Sequence, residues 1–205
     1  MANNVHFHVT LDIDEKESKL VQFLMENISS KTSHGWMEYE IEKLPIYPTK
    51  YDEEGWYNWS IDNMGAKWCH VEDYETDYFS GYSAWSPPIP FVKHLIQYIH
   101  DELGGKPTAT MTYEDEFRNF IGKTTYFIEA GECYDDTDEI DGEELNEVML
   151  TAYGKEESWF ASDDFDWWEE YELVAGSYKG EKWEPQTYCD ELVYSFFDKG
   201  YLVQL

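Results

Sequence analysis

Positive charge is what this chain has least of. Its 205 residues carry 14 Lys and Arg against 44 Asp and Glu, a formal charge of −30, and Arg118 is the sole arginine. Phosphate contacts require a basic stripe, so the composition excludes direct binding to nucleic acid or to an anionic membrane and points to a basic partner. Long apolar runs are also missing. No segment approaches the roughly 18 apolar residues that a spanning helix needs. Met1-Ala2-Asn3-Asn4 has neither the basic nor the apolar region of a signal peptide, so the expected location is the cytoplasm. Cys69, Cys133 and Cys189 are odd in number and lack C-x-x-C spacing, which argues against a disulfide framework and against a zinc site.

Catalytic signatures are equally scarce. There is no Gly-x-Ser-x-Gly elbow, P-loop or dinucleotide fingerprint. His6 and His8 share one strand face, His94 and His100 lie six apart on a helix, and Cys69 and His70 point to opposite sides of a strand, so none forms a ligand set. The acidic run around Asp136, Asp138, Asp141 and Gly142 resembles a calcium loop, but with Gly142 sixth, position twelve is Val148, which offers no carboxylate. With 44 acids, some pair always suits a glycosidase, so that signal is empty. The expectation is a non-enzymatic protein with no metal and no cofactor.

What is abundant is aromatic surface: nine Trp, seventeen Tyr and eleven Phe, enough buriable area for a folded core despite the charge. Val5, Phe7, Val9, Leu11 and Ile13 alternate with polar residues, which predicts a half-buried strand. Asp14 with Glu17 three residues on predicts a capped helix through Leu20, Val21, Leu24 and Ile28. Trp36–Leu44 alternates again and reads as a second strand. Trp56–Ile61, Lys67–Val71 and Tyr78–Trp85 are aromatic and β-prone, so they extend the sheet. Pro87-Pro88 opens a helix through Ile89, Val92, Leu95, Ile96, Ile99 and Leu103, closed by Gly104-Gly105. Thr108–Tyr113 and Phe120–Ile128 follow as strands. This order predicts an α+β fold, a ferredoxin-like split βαβ sandwich with helices on one face of an antiparallel sheet, over residues 1–130.

Beyond Ala130 the composition shifts, and residues 131–205 read as an acidic, aromatic-rich α/β extension packed on the first domain. Helices are expected at Glu143–Tyr153 and Tyr188–Phe197, and a strand at Glu169–Ser177. Between Glu129 and Glu172, eighteen carboxylates meet one basic residue, Lys155. They are interleaved with Tyr134, Tyr153, Trp159, Phe160, Phe165, Trp167, Trp168 and Tyr171, which a simple solvating tail would lack.

The run Asn58-Trp59-Ser60-Ile61-Asp62-Asn63-Met64-Gly65-Ala66-Lys67-Trp68, then Ala84-Trp85-Ser86-Pro87-Pro88, then Met111-Thr112-Tyr113-Glu114-Asp115-Glu116 resembles motifs of the YubB ferredoxin-like family of phage- and plasmid-encoded proteins. Met64 and Ala66 replace that family's Trp and Thr, and Ser83 replaces a Thr, so the resemblance is to a divergent member. It implies a fold and a mobile-element origin but no catalytic residue. The motif tryptophans Trp59, Trp68 and Trp85 are expected on adjacent strands, packing together, with Gly65 in a turn of positive φ.

The functional expectation is a nucleic-acid mimic that blocks a host defence nuclease or another DNA-binding protein. Asp135, Asp136, Asp138, Glu139, Asp141, Glu143, Glu144 and Glu147 would stand in for phosphates, as would Asp163, Asp164, Asp166, Glu169 and Glu170, with Trp167 and Trp168 as anchors. The alternative is a small-molecule or peptide module with a pocket of Trp56, Trp59, Lys67, Trp68 and Trp85, for example one that sequesters a signalling nucleotide.

Overall fold

A computed structural model describes residues 3–147 except 29, 34, 35, 118 and 145, together with 156 and 158. The fold is α+β, built on one eight-stranded antiparallel sheet. Its first strand, β1 (Asn4–Asp12), alternates strictly and buries Val5, Phe7, Val9 and Leu11. Helix α1 (Glu15–Asn27) follows directly, because Asp14 accepts from the Lys16 and Glu17 amides while Glu17 reaches back to the Asp14 amide.

Two short strands then appear, β2 (Ser30–Ser33) and β3 (Trp36–Tyr39). The expected strand over Trp36–Leu44 is thus cut short by a 3-10 turn at Ile41–Lys43, which buries Ile41 before Pro45. A second correction concerns Trp56–Ile61, which is not a strand. It belongs to helix α2 (Trp56–Met64), whose Trp59, Ser60, Asn63 and Met64 recur at helical spacing on the buried side. Gly65 ends it with φ +84°, and a Cβ there would strike the Pro90 ring.

Strands β4 (Cys69–Tyr74) and β5 (Tyr78–Ala84) pair around a bulge between Val71 and Asp73. Helix α3 (Ile89–Leu103) starts after Pro87-Pro88, buries Phe91, Val92, Leu95, Ile96 and Ile99, and stops at Gly104 with φ +71°. Strands β6 (Thr108–Asp115), β7 (Phe120–Glu129) and β8 (Glu132–Asp141) complete the chain order. Across the sheet the order is β2-β3-β4-β5-β1-β6-β7-β8. Helix α3 touches α1, α2, β7 and β8, so the helices lie on one face and the core is sealed between them and the sheet.

The position where the composition changes proves to be a tight hairpin. Ala130 and Gly131, with φ +52° and +91°, join β7 to β8 as the two-residue loop of a primed turn, and all ten residues of β8 pair with β7. The boundary placed at 130 falls inside this hairpin, and the sheet runs on to Asp141. The strand expected at Glu169–Ser177 and the helix at Tyr188–Phe197 lie outside the described residues. Of the helix expected from Glu143, residues 142–144, 146 and 147 are helical.

Candidate functional site: an acidic edge strand

Strand β8 is the last in the sheet among the described residues, and six of its ten residues are acidic: Glu132, Asp135, Asp136, Asp138, Glu139 and Asp141. All six are exposed, whereas Cys133 is buried on the helix side opposite Ile128 and Ile140 is buried on the other face opposite Ile121, so both faces hold the strand to β7. Alternation puts Asp135, Glu139 and Asp141 on the helix side of the edge and Glu132, Asp136 and Asp138 on the opposite side. The carboxylates therefore form two rows flanking one backbone.

Several are fixed by neighbours. Lys93 of α3 pairs with Asp135. The Tyr113 hydroxyl donates to Glu139 at 2.8 Å, and burial together with that carboxylate raises Tyr113 far above the usual tyrosine range, keeping it a neutral donor. The Thr124 and Thr137 hydroxyls bond at 2.9 Å across β7 and β8. Asp141 accepts from the Glu143 and Glu144 amides at 2.9 and 3.0 Å, which caps the helical turn and places those two carboxylates just beyond the strand end. Glu143, Glu144 and Glu147 are all exposed and extend the acidic rows. On the far side, Tyr134 stacks on Phe127 with ring centroids 6.1 Å apart and remains 42% exposed, an apolar plate among the acids.

Asp135, Asp136, Asp138, Glu139, Asp141, Glu143, Glu144 and Glu147 are thus brought together. Asp163, Asp164, Asp166, Trp167, Trp168, Glu169 and Glu170 lie outside the described residues. The alternative pocket is not assembled. Trp59 sits in the helix layer, where its indole donates to Thr49 and packs edge-on against Tyr47 and Tyr51. Trp68 lies across the sheet, tilted over His70 and edge-on to Tyr82. Trp56 packs with Tyr57, and Lys67 sits 5.0 Å above the exposed Trp85 ring. The expected packing of Trp59, Trp68 and Trp85 on adjacent strands is therefore corrected: Trp59 is helical, and the other two flank β4 and β5. What joins the motif segments is serine hydroxyls bonded to backbone, since the Ser86 hydroxyl donates to the Gly65 carbonyl at 2.6 Å and the Ser83 hydroxyl to the Ser86 carbonyl at 2.7 Å.

One cluster was not anticipated. On the face opposite the described helices, the nearly fully buried Glu38 of β3 accepts from the Tyr82 hydroxyl at 2.7 Å and lies 3.6 Å from His70 Nδ1 and 3.5 Å from Lys31 Nζ. Burial lowers His70 below its ordinary value, against the pull of Glu38, while burial and the Glu38 bond raise Tyr82 well above its own. The signal was present in the alternation of Glu38, His70 and Tyr82 with core neighbours, but no spacing links residues on three different strands. Among the described residues, no group of three or more His, Cys, Asp or Glu is placed to hold a metal ion, and no helix is long and apolar enough to cross a membrane. No protein-family model, curated protein or solved structure matches the chain.

Proposed function

We propose that this chain is a non-enzymatic inhibitor, encoded by a phage or other mobile element, that mimics nucleic acid and occupies the DNA-binding groove of a host defence nuclease or another DNA-binding protein. The observation that carries the reading is the composition and position of β8. At about 3.4 Å per residue the strand extends about 31 Å from Glu132 to Asp141, so its six carboxylates average one per ~5–6 Å. One strand of duplex DNA presents one phosphate per ~3.4 Å of axis, which is the same order of linear density. Acids on an edge strand also discourage self-association. A single inward or edge charge suffices for that, whereas residues 129–147 hold ten carboxylates and neither Lys nor Arg.

The same reading takes the order β4-β5-β1-β6, with α1 and α3 as crossovers, as a ferredoxin-like split βαβ core. On this view β2, β3 and α2 are inserted and the β7–β8 hairpin is appended. It also takes in the resemblance to the YubB family and a bacterial cytoplasmic site of action. The test is capture on the immobilised protein from a bacterial lysate at low and high salt, followed by challenge with duplex DNA. A partner lost at high salt and displaced by duplex is expected. A partner indifferent to duplex, or recovery of no DNA-binding protein, overturns the proposal.

A further inference from the structure

The backbone of β8 carries information that its charges do not. Gly142 N–H donates to the Asn119 carbonyl, and the Ala130-Gly131 turn makes Glu129 and Glu132 a hydrogen-bonded pair, so the even-numbered residues of β8 turn their amides toward β7. The odd-numbered amides and carbonyls therefore face away from the sheet. Cys133 agrees with this parity, because its N–H is taken at 2.7 Å by the Gln97 side chain of α3 rather than by β7. Past that cap, Asp135, Thr137 and Glu139 present a repeating donor and acceptor edge on an exposed stretch, and no described residue pairs with it.

We propose that this edge receives an extended, Lys- or Arg-rich segment of a partner, which adds as a ninth strand beside β8. Backbone bonds would form at Asp135, Thr137 and Glu139. Charge complementarity selects the occupant. A pleated strand laid along the edge sends alternate side chains to the two sides, where Asp136 and Asp138 lie on one side and Asp135 and Glu139 on the other. Basic side chains at successive positions meet a carboxylate in either direction, and an apolar or acidic strand would leave those charges unpaired or repelled. The inference deepens the mimic reading, on which it rests for the sign of the partner's charge.

The test uses the full chain, labelled for amide detection, and a synthetic decapeptide with Lys or Arg at successive positions. Binding should slow hydrogen exchange at Asp135, Thr137 and Glu139, while Asp136 and Asp138, already in the β7 ladder, change little. Thr137→Pro removes one outward donor without touching a charge, and edge strands tolerate proline where its missing N–H would face solvent. It should weaken peptide binding by about tenfold. Should that variant lose its hairpin, the same decapeptide N-methylated at alternate residues, tested on the unaltered chain, must bind correspondingly worse. Equal binding of the N-methylated peptide, or no protection at the three odd amides, overturns strand addition and leaves electrostatic mimicry standing. Unchanged binding to Asp136→Asn/Asp138→Asn overturns the basic occupant and the mimic reading together.

Discussion

At the scale of single residues, the hairpin that creates the acidic edge contains a correctable strain. Ala130 holds φ +52°, a left-handed conformation that costs an L-residue with a Cβ roughly 1 kcal/mol, whereas Asn-Gly is the preferred pair for this turn. Ala130→Asn should therefore raise stability by ~0.5–1 kcal/mol, measured by urea unfolding; a loss of stability would contradict the turn assignment. His70 makes a second residue-level expectation. Burial lowers its pKa from the ordinary 6.5, so just below pH 6.5 the unfolded chain binds more protons than the folded one. The stability owed to neutral His70 is full above that pH and drains as pH falls toward the folded value. His94 is shifted in the same sense by burial and by Lys93, so His70→Gln removes part of this slope and the double variant with His94→Gln removes more. Unfolding curves from pH 7.5 to 5.5 check it, and an unchanged slope in the double variant would contradict it.

At the scale of elements, the sheet is strong in its centre and held by side chains at one side. Strand β3 shares a single register pair with β4, Tyr39 with Val71, so Glu38 does much of the joining by accepting from Tyr82 and lying beside His70. Glu38→Ala should cost ~1–3 kcal/mol and speed amide exchange over residues 30–39, while β1, β5 and β6 keep their protection. Uniform exchange changes would show that the carboxylate is no local latch. The elements also show what the chain disclosed before folding. β1, α1 and α3 were legible because period-two or helical burial coincided with a cap, a Pro-Pro start or a glycine stop. α2 was misread because Trp56, Tyr57 and Trp59 suggest a strand by propensity, although the buried residues of the segment, Trp59, Ser60, Asn63 and Met64, follow helical spacing. β8 was read as part of an acidic extension because Asp and Glu disfavour strands. Its two apolar positions, Cys133 and Ile140, are too few to reveal a period, and pairing with the long, well-packed β7 overrides local preference.

At the scale of the whole molecule, the charge of −30 is a cost to the compact state and, in the proposed mimicry, the means of recognition. Repulsion among 44 acids destabilises the compact state when ions are scarce, so the melting temperature should rise by several degrees between about 10 and 200 mM salt. A melting temperature that falls or stays flat would mean the acids are already neutralised within the fold. The acidic cluster on β8 was legible as composition from the start, but its arrangement as two rows on the outermost described strand was not, because that depends on a strand register only the fold supplies. The decisive comparison is the affinity of the captured partner for the native chain and for Asp135→Asn/Asp136→Asn/Asp138→Asn/Glu139→Gln, across a salt series with duplex DNA as competitor. Mimicry predicts that the variant binds far more weakly at low salt, with a shallower salt dependence, and that duplex displaces the native chain. Equal affinity and equal salt dependence for the two chains, with duplex unable to compete, would contradict it.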